Sequence, residues 1–370
     1  MITPATDLDS AIAAAERDTI VIWRGERIPL PELRDRIAAT DGRDERNGMY
    51  AGWIDAFEAT NPLRRERLAT WRAGTTGSDK AAEDGREAFA LELERFALMS
   101  ETVYFAALRR HLALIGIEQG DATLADAWYI ERGSAWSSWF GSRDVERAAT
   151  ETGRQGDAQA RHQGWRSGRA ALAGGDDPEG GAGASAVREL YRWLVADPTW
   201  LAEALRMGPE DVIGFADFAS YARLWEVREA IGTHLYGLRV AATDDESLQR
   251  AYYSGIVGNI VGVAMPEAAY LHALPSLGAA EAELQRAILA GQMAERLESR
   301  FGSSWWSDAE ARATTAELTA VADVTDVLAQ LGYDDLDWRP LLRQIRTRLI
   351  GEMSGYGGPN ITTRAGTRKV

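Results

Sequence analysis

The chain has 370 residues, no cysteine and a formal net charge of −15. Without cysteine there is no disulfide framework, no thiolate ligand and no cysteine nucleophile. The acidic balance argues against a nucleic-acid partner, because phosphate binding draws on clustered Lys and Arg, and a chain of this length can bury a large helical core as one domain or as two lobes.

Apolar residues recur at helical spacing over 7–16 and 30–39. Between them, Val21 to Ile28 reads as a short extended pair turning at Gly25. From Arg43 to Trp71 the pattern is an amphipathic helix, expected to break at Asn61-Pro62, where Pro suits a helix start. A loop over Gly74–Ser78 precedes helices at about 81–115 and 121–150. The aromatic residues Trp128, Tyr129, Trp136, Trp139 and Phe140 read as packing rather than chemistry. Gly174 to Ala184 is rich in Gly, Asp and Pro and reads as a flexible connector. Beyond it the pattern is nearly all helix, over about 185–196, 198–206, 209–241, 246–262, 266–300, 308–331 and 338–352. The expected fold class is mainly α. The N-terminus has neither a basic n-region nor an apolar h-region, and no apolar run reaches the roughly 18 residues of a membrane span. The expectation is a cytoplasmic chain with neither membrane nor nucleic-acid partners.

Four histidines are present, His111, His162, His234 and His272. His111 and His234 lie within helical patterns and read as hydrogen-bonded core or boundary residues. Ser134, Ser137 and Ser185 could in principle join a His and an acid, but no Gly-x-Ser-x-Gly elbow supports a triad. Gly255-Ile-Val-Gly-Asn259 lacks a preceding strand and does not read as a nucleotide loop. Glu226 and Glu229 with Arg228 read as an ion-pair row or as groups facing a cavity. Glu-x-x-His pairs for a carboxylate di-metal site are lacking.

Several phrases, in order, carry a resemblance. They are Asp197-Pro-Thr-Trp-Leu201, the helix Leu224 to Tyr236, Leu284 to Ile288 continuing into Leu297 to Trp306, and Val327 to Leu336. Across roughly 160–350 the chain resembles zinc oligopeptidases of the thimet oligopeptidase and oligopeptidase F kind. The resemblance implies a large helical bilobed metallopeptidase-like fold with an internal cleft. Residues 1–150 would form an N-terminal helical part and a candidate wall of the cleft, 151–352 the peptidase-like part, and 353–370 a Gly-rich tail.

That family works through an H-E-x-x-H helix, with two His on zinc, the Glu as general base and a Glu from the next helix as third ligand. The place that corresponds here is His162-Gln163-Gly164-Trp165-Arg166. His162 keeps the first ligand. Gln163 replaces the base with an amide that cannot take a proton from water, and Arg166 replaces the second ligand with a guanidinium that has no lone pair to offer. Counting back from Asp197, Ser185 falls where the third ligand is expected, leaving Glu179 and Glu189 as weak substitutes. His272 corresponds to a family His that steadies the developing oxyanion, while Ala279, Glu283 and Leu284 stand where tyrosines are expected.

The resemblance therefore implies a catalytically inactive homologue, without zinc or another cofactor. It would bind a peptide or a partner subunit, as a homo-oligomer or beside an active paralogue. The alternative is an enzyme reusing the cleft for metal-free chemistry on a small or peptide-like molecule, with Arg166 and His272 holding the substrate. A third reading is a metallopeptidase with substitute ligands.

Overall fold

A computed structural model of the protein describes residues 4–75, 80–132, 181–204, 206–272, 274 and 279–350. Within these the fold is mainly helical, as the apolar periodicity predicts. Helix α1 (Pro4–Asp18) leads into an antiparallel ribbon, β1 (Ile20–Trp23) and β2 (Glu26–Pro29), with Val21 opposite Ile28. Its two-residue turn holds Arg24 at φ 50° and Gly25 at φ 85°, the doubly left-handed conformation that matches strand twist. Helices α2 (Leu30–Ala39), α3 (Arg43–Thr75), α4 (Lys80–Leu114) and α5 (Leu124–Arg132) follow.

After residue 180 come α6 (Ala182–Arg192), α7 (Pro198–Glu203), the long α8 (Pro209–Ala241), α9 (Glu246–Tyr252) and α10 (Gly258–Val261). The last helices are α11 (Ala279–Phe301), α12 (Ala309–Thr319), α13 (Val324–Leu331) and α14 (Arg339–Ile350). Asp197, Asp245 and Asp308 cap α7, α9 and α12, each accepting from two backbone N–H groups of the first turn.

Several boundaries differ from the sequence expectation. The helix expected over 266–300 is a short turn at Glu267–Ala269 with its α-helix over Ala279–Phe301, and that expected over 308–331 is interrupted between Thr319 and Val324. Three more differences have a local reason. Helix α3 runs through Pro62 without a break. Proline removes one intrahelical hydrogen bond, but both flanks are held by tertiary contacts. Trp53 and Phe57 pack in the core before it, and Arg64, Arg67 and Arg72 grip the carbonyls of Leu271, Leu274, Val240 and Thr243 after it. The expected helix over 246–262 contains a π turn at Tyr253–Val257 between α9 and α10. The supposed connector ending at Ala184 is already ordered from Gly181, and α6 starts at Ala182. The Ala182 and Gly183 N–H groups donate to the carbonyls of Ala322 and Val321 at 2.8 and 3.0 Å. A Cβ on Gly183 would lie 1.9 Å from the Leu318 carbonyl oxygen, so glycine here allows the start of α6 to approach the end of α12. Residues 174–180 lie outside the described residues, as do Trp136, Trp139, Phe140 and the tail 353–370.

Two apolar cores organise the helices. The first gathers Leu33, Ile37, Trp53, Phe57, Tyr104, Leu108 and Trp128 with the middle of α8 and the face of α14 bearing Leu341 and Ile345. Trp128 and Tyr129 are buried, as expected, and Trp53 meets Phe57 and Trp128 edge to face at 4.2 and 4.8 Å. Such side chains each contribute about 1.5–3 kcal/mol on full burial. The second core gathers Leu190, Trp200, Phe215, Met293, Leu297, Trp305, Val327 and Leu331. Helix α8 gives Phe215 and Ala219 to the second and Tyr221 and Trp225 to the first. Helix α11 likewise gives Leu284 to the first core and Met293 to the second. No helix among the described residues is long and apolar enough to cross a membrane.

Candidate functional site

Polar groups collect where α6, α8 and α11 meet. On α6 the apolar face, Gly183, Ala186 and Leu190, is buried. Ser185, Glu189 and Arg192 follow one another four and three residues apart and therefore share the neighbouring face. The Trp193 indole N–H donates to Glu189. The Arg192 guanidinium donates to Glu189 at 3.3 Å and reaches Glu226 on α8 at 3.5 Å. Burial alone would lower the Arg192 pKa, but Glu226, Glu189 and Glu283 together raise it.

Arg223 stands one turn before Glu226 on α8 and is only 3% exposed. Its guanidinium carbon lies 5.2 Å from the centre of the Trp193 ring. Its Nε has no hydrogen-bond partner, and among the described residues no carboxylate pairs with it. Burial pushes its pKa down to about 9; Glu189 and Glu226 oppose that shift from a distance, while Arg348 and Arg192 add to it. Arg348, on α14, is paired with Asp197 at 3.4 Å.

Glu283, near the start of α11, is exposed to solvent yet is crowded by protein. That crowding, followed by repulsion from Glu226, Glu229 and Glu189, raises its pKa to about 7. The junction thus combines a buried guanidinium that pairs with no carboxylate among the described residues and a carboxyl group whose surroundings raise its pKa to about 7. Both are binding and proton-holding chemistry.

The sequence-derived residues fall in different places. His162, Gln163, Arg166 and Glu179 lie outside the described residues, as do Ser134 and Ser137. Ser185 and Glu189 come together on one face of α6. His272 stands elsewhere, with its ring 4.3 Å from Phe57 and 5.4 Å from Trp53. Burial, then Arg64, Arg34 and Arg67, holds its pKa well below the usual histidine range, and its Nδ1 has no hydrogen-bond partner. These neighbours belong to α2 and α3, so His272 and Ser185 have separate surroundings.

His111 and His234 are buried as expected, but the Nε2 of each lacks a hydrogen bond. For His111 the nearest carboxylate, Asp217, is 3.8 Å away, and burial lowers the pKa to about 4. Arg228 does not extend the row of Glu226 and Glu229. It turns to the other side of α8 and donates to the carbonyls of Ile260 and Ala97 and to the Ser100 hydroxyl at 2.6–2.8 Å. Sequence reasoning passed over Arg192 and Arg223. The available signal was the three-residue spacing of Arg223, Glu226 and Glu229, which puts charge along one side of an otherwise apolar helix.

The described residues do not fit zinc. Ser185 offers only a hydroxyl, Glu189 is already engaged by Trp193 and Arg192, and among the described residues no three His, Asp or Glu side chains gather as a metal-holding group. Neither a protein-family model nor a curated protein matches this chain.

Proposed function

We propose that the protein is a catalytically silent relative of the zinc oligopeptidases that binds a peptide or a partner subunit within a cleft of a bilobed helical shell. One juxtaposition carries this reading. Ser185 and Glu283 occupy positions where the resemblance expects a zinc ligand and a substrate-facing tyrosine, and Glu283 feels the charge of Glu189, one turn after Ser185 on α6. Glu189, one turn after the position expected for a zinc ligand, thus lies within electrostatic reach of a position expected for a tyrosine, at a junction that carries arginines and carboxylates. Glu189 is unsuited to be a substitute ligand, because leaving Trp193 and Arg192 would break two hydrogen bonds.

The test is metal content after dialysis against zinc, with hydrolysis of a quenched fluorogenic peptide library measured on the same preparation. The expected result is far less than one zinc per chain and no turnover above a heat-treated control. One tightly held zinc per chain with peptide cleavage would end this proposal and favour the metallopeptidase reading.

The Glu283 carboxyl favours one second reading, metal-free acid–base chemistry on a small or peptide-like molecule, since a group titrating near 7 can both give and take a proton. Mass spectrometry of a peptide mixture incubated with the protein tests it. A product that forms with the native chain and disappears in Glu283→Gln would support it.

A further inference from the structure

The described residues include four buried arginines, Arg46, Arg64, Arg223 and Arg228. Apart from Arg223, each has hydrogen-bond partners for its guanidinium, although the Nε of Arg46, like that of Arg223, has none. Arg46 pairs with Asp126 and donates to the carbonyls of Thr40 and Asp41. Arg64 pairs with Glu16 and donates to Thr60 and to the Leu271 carbonyl. Arg228 donates to two carbonyls and a serine hydroxyl. Among the described residues Arg223 has only the face of Trp193. A buried guanidinium whose Nε is unpaired and which meets no carboxylate among the described residues is costly, and an aromatic face replaces none of its hydrogen bonds. The nearby carboxylates do not relieve it, because Glu189 accepts from Trp193 and Arg192 instead.

We propose that Arg223 is the seat of a free carboxylate on the bound ligand, held in the fork of the guanidinium above Trp193. The inference rests on the reading of the protein as a binder and names what it binds. A carboxylate suits the place by shape, since its two oxygens match the planar fork. It also suits it by charge. Glu189, Glu226, Glu229 and Glu283 surround the junction, and a doubly charged phosphate would be repelled more strongly than a single carboxylate. The same acidic groups favour a ligand that carries an ammonium or amide N–H groups beside its carboxylate. That combination is found in the C-terminal residue of a peptide and in a free amino acid.

Calorimetric titration of the full chain with mixed-sequence pentapeptides tests the seat, comparing pools with free C-termini and amidated pools. The free-acid pool is expected to bind at least about tenfold more tightly than the amide pool. Arg223→Gln should remove that preference, while Arg223→Lys keeps part of it; circular dichroism verifies that each variant is folded. Free amino acids binding with the same dependence on Arg223 would also support the seat and identify its source as a small molecule. Equal binding of acid and amide pools by the native chain overturns the proposal, and this arm needs no variant. So does an acid preference that persists in Arg223→Gln, or inorganic phosphate competing as well as the peptide acids. If no pool, amino acid or phosphate binds at millimolar concentration, the carboxylate seat is wrong, whereas zinc content and turnover decide separately whether the chain is a silent peptidase relative.

Discussion

Arg46 on α3 and Asp126 on α5 meet at 3.1 Å, and both side chains are almost wholly removed from solvent. Arg43 reaches the other carboxylate oxygen at 3.2 Å, and the same oxygen accepts from the Thr123 N–H at the start of α5. The pair therefore fixes α5 to α3 and caps α5 at the same time. Asp126→Ala should cost about 3–5 kcal/mol in urea unfolding, because it leaves the Arg46 charge buried and unpaired. Replacing both residues together by Met and Leu should cost less than the single change. A single-variant loss below about 1 kcal/mol would mean that water or another group readily takes the carboxylate's place.

The start of α6 depends on a missing side chain. Gly183→Ala places a Cβ 1.9 Å from the Leu318 carbonyl oxygen and 2.9 Å from that of Val321, and both obstacles are backbone atoms. The gain of about 1 kcal/mol from alanine's helix propensity should be outweighed by the displacement of α12, for a net loss of about 2 kcal/mol or more. Gly85→Ala on α4 is the control, since nothing lies within 4 Å of its added carbon, and it should be neutral or slightly stabilising. Equal melting temperatures for the two variants would contradict the close approach of α6 and α12.

Glu283 and His111 make opposite contributions to stability as pH changes. The folded state raises the Glu283 pKa from 4.5 to about 7, so it binds that proton more tightly than the unfolded chain does. The resulting stability is full below pH 4.5 and is lost as pH rises to about 7. For His111 the pKa falls from 6.5 to about 4, so its contribution is full above 6.5 and disappears as pH drops toward 4. Glu283→Gln should raise the melting temperature above pH 7 and leave a profile that climbs more steeply with pH between 4.5 and 6.5. Superimposable profiles of native and variant protein would show that Glu283 titrates as an ordinary surface carboxyl.

His272 should behave as an aromatic packing residue. Its ring sits against Phe57 and Trp53 with Nδ1 unpartnered, so His272→Phe keeps the contact and removes a stranded polar atom. That change should lie within about 1 kcal/mol of the native protein, whereas His272→Ala should cost about 2–4 kcal/mol. If Phe proves as damaging as Ala, the imidazole makes a polar interaction that its surroundings do not account for.

Much of the fold was legible in the order of residues. The period of apolar positions located the helices, and the turn at Gly25 located the ribbon, because both signals are local. The uninterrupted run of α3 through Pro62 was not legible, since what holds it are carbonyls more than 150 residues away in sequence. The partition of arginines on α8 was equally hidden. Arg223 and Arg228 are five residues apart, and one full turn plus the remainder sends them to different sides of the helix, one toward α6 and the other toward α4. Sequence spacing grouped Arg228 with Glu226, while the fold pairs Glu226 with Arg192 on another helix. Ser185 was readable as a position, but the groups around Glu189 and Arg192 on the same face come from α8 and α11 and required the packing to be seen.

Since α8 and α11 each lend side chains to both apolar cores, neither core can come apart while the other keeps its full complement. Melting the half around Trp200 and Trp305 would strip Phe215 and Met293 of their neighbours and slacken the same two rods that carry Tyr221 and Leu284. Heat or urea should therefore take the described part of the molecule apart in one concerted event, and a ligand seated at the junction of α6, α8 and α11 would brace both halves together.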